Sequence, residues 1–234
     1  MTSVYHFDPP TTEQIQQAVT AWNKGRLHLA IRRKAVLWRT LTAPDAPTAV
    51  AYAEACYPSP TSCRLSPITK GGSIVPIAYA ANTRVVSLWE AILRNIAHQS
   101  IKLVPSSDTQ NKYTIKVETT RPLRLIDVRS PKKYILNTGT ARAPDISSAW
   151  QAYYPITQQW AQALHDNLLG ADGIYYESFQ HPGRCMLIWN RLSGNPFKAT
   201  AKAVSIADPP IRQQLIKMTA AIGVGIDFGD DPIA

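Results

Sequence analysis

The segment from Ile74 to Ile96 constrains the fold most. Ile74-Val75-Pro76-Ile77-Ala78-Tyr79-Ala80 is short and apolar, as a buried strand is. Beyond Ala81-Asn82-Thr83 the period changes, and Val86, Trp89, Glu90, Leu93 and Ala97 recur at helical spacings. A strand therefore runs directly into a helix. Glu90 falls inside the apolar stripe of that helix, which turns its carboxylate toward the core or the wall of a cleft. A carboxylate there is costly without a partner. Two roles are open. Glu90 either sits at the stripe's edge, reaching water or pairing with Arg94 four residues on, or lines a pocket and meets a hydroxyl or a developing positive charge.

The remaining elements follow the same logic. Thr11 and Gln14 form a capping box before Ile15, Ala18, Val19 and Trp22, which share one helix face, and Gly25 can end that helix. Leu37-Trp38-Arg39-Thr40-Leu41 is strand-like, with Arg39 on one face and Trp38 and Thr40 on the other. Residues 43 to 73 carry Pro58, Pro60, Pro67 and Gly71-Gly72 and are expected to be loop apart from a short helix over Ala46–Ala55; Arg64 lies in this loop. Residues 111–120 and 123–128 are two further strands. A longer helix is expected from Ser147 or Ser148 to Leu168, broken or kinked at Pro155. Ile174–Ser178 and Cys185–Trp189 are strand-like, Pro210–Ala221 helical and Ile222–Phe228 a last strand.

Composition narrows the function classes. Apolar residues make up 45% and charged residues 18% of the 234, a globular balance with no apolar run long enough to span a membrane. The first residues lack the basic start and apolar run of a secretory signal, so a cytoplasmic protein is expected. Cys56, Cys63 and Cys185 are scattered, which fits reduced thiols better than a disulfide scaffold or a zinc site. The five histidines show no metal-ligand spacing, and only His181 lies near a candidate site. Residues 1 to 150 hold 19 Lys and Arg against 9 Asp and Glu, and residues 151 to 234 hold 6 against 7. The basic excess of the first part suits an anionic partner such as a nucleotide, an acidic protein or nucleic acid. No P-loop, zinc-protease, nucleophile-elbow or kinase signature occurs, and Gly223-Val224-Gly225 is not followed by a helix.

Leu37-Trp38-Arg39, Arg64-Leu65-Ser66-Pro67, Ile77-Ala78-Tyr79-Ala80 leading to Ser87-Leu88-Trp89-Glu90, and Asp172-Gly173-Ile174-Tyr175 to Ser178 together resemble, in order and spacing, the RES-domain family. The resemblance runs from about residue 30 to about residue 225, so residues 1–29 are expected as a helical extension and 30–234 as the domain. It implies an α+β fold like that of the ADP-ribosyltransferase toxins, with split sheets around an NAD-binding cleft. It also implies the toxin of a bacterial toxin–antitoxin pair that cleaves the nicotinamide–ribose bond of NAD+ by phosphorolysis or hydrolysis. NAD+ is then substrate, inorganic phosphate an optional co-substrate, and no metal or other cofactor is required. The implied partner is an Xre-type antitoxin, with DNA met only through it; no membrane is involved, and a homo-oligomer stays open.

Carried onto this sequence, the resemblance makes Arg39, Glu90 and Ser178 the catalytic residues and Arg64, Tyr79 and Tyr175 the substrate-binding ones. Arg39 and Arg64 would hold phosphates, Glu90 the ribose hydroxyls and oxocarbenium, and Ser178 the nicotinamide riboside end. Arg64 follows Ser62-Cys63 and precedes Leu65, where the family often has Gly-Gly and an aromatic residue, so stacking falls to Tyr79, Tyr175 or Phe179. A protein ADP-ribosyltransferase, or a basic nucleic-acid-binding module, is the alternative.

Overall fold

The computed structural model describes residues 8–55, 63–93, 96, 102–136, 146, 153–178, 181–189 and 194–229. The chain opens with α1 (Thr12–Asn23), β1 (His28–Ile31), β2 (Val36–Thr42) and α2 (Ala46–Ala53), then the small β3 (Thr69–Lys70) and β4 (Ser73–Ile74) hairpin. β5 (Ile77–Ala81) leads into α3 (Arg84–Ile92), followed by β6 (Leu103–Val104), α4 (Ser106–Thr109), β7 (Lys112–Thr119) and β8 (Leu123–Asp127). A 3-10 turn over Lys132–Leu136 precedes α5 (Tyr154–Asn167), β9 (Gly173–Glu177), β10 (Arg184–Trp189), β11 (Phe197–Ala199), β12 (Val204–Ser205), α6 (Pro209–Ala220) and β13 (Gly225–Ile226).

Nine of the strands form one mixed sheet in the order β1-β8-β9-β10-β5-β2-β7-β11, with β12 also on β7. Its two halves are held together thinly. β2 and β7 share seven registered pairs, but β2 meets β5 only at Trp38 and Ala81. Beyond that point the strands part, and the space between Thr40–Thr42 and Tyr79–Ala81 is where a cleft opens. The split sheets expected from the sequence are thus one sheet pinched at a single pair.

Three apolar clusters build the core. One packs α1 and α5 through Trp22, Trp160 and Leu164 onto Ile174, Tyr176, Leu187 and Trp189. The second lies on the opposite sheet face, with Leu37, Ala78, Ile115, Val117, Tyr175 and Phe197. The third joins Leu88, Trp89 and Ile92 of α3 to Ile211 and Leu215 of α6. Burial of each large side chain is worth about 1.5–3 kcal/mol, so α3 is fixed on several sides.

Several local expectations shift. The strand expected through Ile74–Ala80 is interrupted at Val75-Pro76, because proline has no N–H for the ladder; Val75 N–H instead donates to Ile68 O at 2.8 Å. α3 ends at Ile92, capped by Leu93, short of Ala97, which lies outside the described residues. Pro155 sits in the first turn of α5 and starts that helix where a kink was expected, since the first turn needs no N–H there; Ser147 and Ser148 lie outside the described residues. The expected boundary at residues 29/30 falls inside β1, whose residues His28–Ile31 pair with Ile126–Leu123 of β8.

Candidate functional site

A cavity of about 260 Å³ occupies the gap in the sheet, lined by Thr40, Leu41 and Thr42 of β2, Tyr79–Ala81 of β5 and Ser87, Glu90 and Ala91 of α3. Cys63, Arg64, Lys112, Tyr176 and Cys185 complete it. Among these lining residues Glu90 is the one carboxylate, and Arg64 and Lys112 are the cations.

α3 brings Glu90 there by its period. Thr83 caps the helix, its Oγ1 accepting from Val86 N–H at 3.2 Å. Ser87, Glu90 and Ala91, spaced by three and four, then face the cavity while Leu88, Trp89 and Ile92 enter the α6 interface. A hydroxyl pair, Ser87 Oγ and Thr40 Oγ1 at 2.8 Å, ties the helix to β2. Arg94, the expected surface partner of Glu90, lies outside the described residues.

Ser178 stands one residue past β9 and donates its hydroxyl to Glu90 Oε1 at 2.5 Å. The same Oγ accepts from His181 N–H at 3.4 Å, and the His181 ring stacks on Trp89 at 5.8 Å between centroids. Ser178 N–H also donates to Gly183 O at 3.0 Å, closing the turn between β9 and β10. The hydroxyl is thereby oriented from both sides.

Arg64 is placed by α5. Thr157 Oγ1 donates to Arg64 O, and Gln158 Nε2 donates to the carbonyls of Cys63 at 2.9 Å and Ser66 at 2.7 Å. The loop arginine is therefore pinned by a helix some 90 residues later. Arg64 is 5% exposed and is one of the residues that line the cavity.

The floor is neutral. Burial pushes the Tyr176 phenol well above its usual range, helped by Cys185, Glu90 and Tyr79 and opposed by Arg64. Burial likewise raises the Cys185 thiol, with the Glu90 charge adding and Arg64 and the Tyr176 hydrogen bond opposing. Neither ionises near neutral pH, which leaves Glu90 as the source of negative charge among the lining residues. No group of His, Cys, Asp and Glu suited to a metal occurs among the described residues.

Of the six residues singled out from the sequence, Glu90, Arg64 and Tyr79 line the cavity, and Ser178 is joined to them through its hydrogen bond to Glu90. Arg39 is placed elsewhere. It points to the opposite face of β2, where Nη1 donates to Tyr52 O, Ala53 O and Ala55 O at 3.0, 2.7 and 3.1 Å, and Phe197 lies 5.6 Å from its guanidinium. A cation at the C-terminal carbonyls of α2 is favoured by the helix dipole as well. Tyr175 also faces away, under the Arg129 guanidinium at 4.7 Å; its neighbour Tyr176 lines the cavity. Alternation puts adjacent strand residues on opposite faces, and only the pairing of Tyr176 with Cys185 reveals which face is which. Phe179 lies outside the described residues. Lys112, Thr42, Thr40 and Ser87 were not foreseen; nothing in a single sequence links β7 to β2 at that register.

A family model for the RES domain matches residues 32–210, well over half of the chain. No curated protein matches the sequence. Among solved structures, a chain from the crystal structure of the M. tuberculosis MbcT–MbcA toxin–antitoxin complex is similar, with a TM-score of 0.55 at 13% identity, over 88% of this chain and 97% of that one. The fold is the α+β, ADP-ribosyltransferase-like one implied by the resemblance. The chain belongs to the RES-domain family.

Proposed function

We propose that this protein is the toxin of a toxin–antitoxin pair and that it cleaves the nicotinamide–ribose bond of NAD+. The observation that carries the reading is the Ser178–Glu90 hydrogen bond of 2.5 Å at a cleft whose other charged lining residues are the cations Arg64 and Lys112. Family membership and the likeness to a chain of a toxin–antitoxin complex support the toxin part, with a protein antitoxin as partner.

At about 260 Å³ the cavity is a little under the usual ~300–1,000 Å³ of ligand pockets. It suits the nicotinamide riboside end of the dinucleotide, the diphosphate and adenosine lying across its mouth. As the glycosidic bond breaks, its electron pair moves to the pyridinium nitrogen and nicotinamide leaves neutral. Positive charge grows on ribose C1′ and the ring oxygen. Glu90, held by Ser178 through Oε1, offers its second oxygen to the ribose hydroxyls and opposes that charge at close range. The neutral Tyr176 and Cys185 thiol behind it keep the carboxylate's field undiluted. Water or phosphate then bonds to C1′ and gives up a proton.

The test is incubation of purified protein with NAD+, with and without inorganic phosphate, resolving products by mass. Free nicotinamide with ADP-ribose in either condition indicates hydrolysis; a phosphorylated ADP-ribose formed only with phosphate indicates phosphorolysis. Intact NAD+ in both conditions contradicts the reading, and an ADP-ribose mass added to protein would replace it by protein transfer.

A further inference from the structure

We propose that Ser87 and Thr40 are a positioning pair for the reaction: their hydrogen bond fixes α3 against β2 and so sets where Glu90 stands in the cleft, a role that rests on the NAD+ reading above. α3 is packed on two sides. Leu88, Trp89 and Ile92 enter the apolar cluster shared with α6, and Gly183 of the β9–β10 turn lies close against Val86. On the third side, the face with Ser87, Glu90 and Ala91 borders the cavity, where open space replaces packed side chains. The helix meets β2 there through two contacts in line. The Arg84 guanidinium lies 5.6 Å from the centroid of the Trp38 ring, next to the pinch, and three residues on Ser87 Oγ is 2.8 Å from Thr40 Oγ1. α3 thus advances by three residues, ~4.5 Å, as β2 advances by two, ~6.6 Å. The next such step reaches Glu90 on α3 and Thr42 on β2, and both line the cavity.

The Thr40 hydroxyl is used on the helix and not on its own sheet. Thr114 pairs with Thr40 across β2 and β7 and is 1% exposed, yet its Oγ1 has no hydrogen-bond partner among the described residues. Ser87 is 5% exposed, and a hydroxyl buried to that degree is costly to leave unpaired. Removing either partner therefore loosens the tie between helix and strand. Glu90 is located by two hydrogen bonds, one from Ser178 to the carboxylate itself and one made by Ser87 a turn earlier on the same helix. Loosening the second shifts the carboxylate relative to the bound ribose. Because Glu90 acts mostly on charge that develops in the transition state, such a shift costs rate more than binding.

Steady-state nicotinamide release tests the pair in the wild type, Ser87→Ala, Thr40→Val, the double variant and Thr40→Ser, and in Ser87→Ala added to Glu90→Gln, each checked for its unfolding transition. Thr40→Val keeps the shape of the side chain and carries the test should Ser87→Ala not fold. Each single variant should lower kcat about tenfold with KM within about threefold, and the double variant should lie no lower, since one bond is lost in all three. Thr40→Ser keeps the hydroxyl and should stay within about threefold of the wild type. In the Glu90→Gln background Ser87→Ala should cost nothing further, because it acts through the carboxylate. Unchanged kcat in the single variants, a raised KM at constant kcat, or an undiminished loss in the Glu90→Gln background overturns the positioning role and leaves the NAD+ reading standing. If the wild type releases no nicotinamide, the NAD+ reading fails and the role falls with it.

Discussion

A carboxylate and a hydroxyl 2.5 Å apart at a cleft wall, Glu90 and Ser178, carry the chemistry proposed here. Ser178→Ala removes the donor that holds Oε1 but keeps the charge, so it should reduce NAD+ turnover less than a change at Glu90 does. About tenfold is expected, and a loss larger than that of Glu90→Gln would reverse the assigned roles. Arg39 illustrates a different use of charge. Its three bonds to helix carbonyls should make Arg39→Met lose about 3 kcal/mol in urea denaturation, as hydrogen bonds to charged groups are worth about 1.5–3 kcal/mol each and do not add fully. A loss below about 1 kcal/mol would show that α2 does not depend on it. Residue types were legible in the sequence where period dictated direction: Glu90 in an apolar stripe, Ser178 at a strand end. The face of an isolated residue was not. Arg39 and Tyr175 each alternate correctly with their neighbours, and both lie on the face away from the cavity, because strand alternation fixes relative direction and leaves the absolute side to pairing partners far away in sequence.

Among the elements, α3 and the β9–β10 turn act as one unit. A Cβ on Gly183 would come within 2.2 Å of Val86 Cγ2 and 3.3 Å of Asn82 Oδ1, so the turn rests directly on the start of α3. Gly183→Ala should push the turn off the helix, move Ser178 from Glu90 and cost about 10² in turnover, because small misplacements at a reacting centre are expensive. Adding Val86→Ala should restore part of it; no recovery in the double variant would count against direct coupling. At the end of β8, Asp127 is buried, and its carboxylate pairs with Arg129 at 2.8 Å and Lys132 at 3.1 Å. Burial acts to raise its pKa, but the hydrogen bonds from Arg129 and Lys132 outweigh it and hold the group below the ordinary carboxylate value. A depressed folded pKa means stability that is present above the unfolded value and lost as the pH falls through it toward the folded one. Wild-type protein should therefore lose more stability than Asp127→Asn between about pH 5 and pH 3, and parallel pH profiles would contradict that. The elements themselves were largely readable: capping at Thr11, the strand at Leu37–Leu41 and the helix after Asn82 all follow local rules. β1, β11 and β12 were not foreseen, since such short strands are specified by their partners β8 and β7.

At the scale of the molecule, the proposed function depends on a sheet that is nearly two sheets. One registered pair joins β2 to β5, the cavity lies beside it, and three apolar clusters pack the elements around it. No periodicity announces such a pinch; only the order of RES-like motifs along the chain suggested a cleft, and α5 holding Arg64 through Thr157 and Gln158 was invisible without the fold. No helix among the described residues is long and apolar enough to cross a membrane. The central claim is that Glu90 in this cleft drives cleavage of NAD+. The most direct measurement is the rate of nicotinamide release from NAD+ by wild-type protein and by Glu90→Gln, the latter checked for an unchanged unfolding transition. The account predicts release by the wild type and a drop of about 10² or more in the variant, the scale of losing one electrostatic stabiliser. Equal rates in the two proteins, or no release by either, would contradict it.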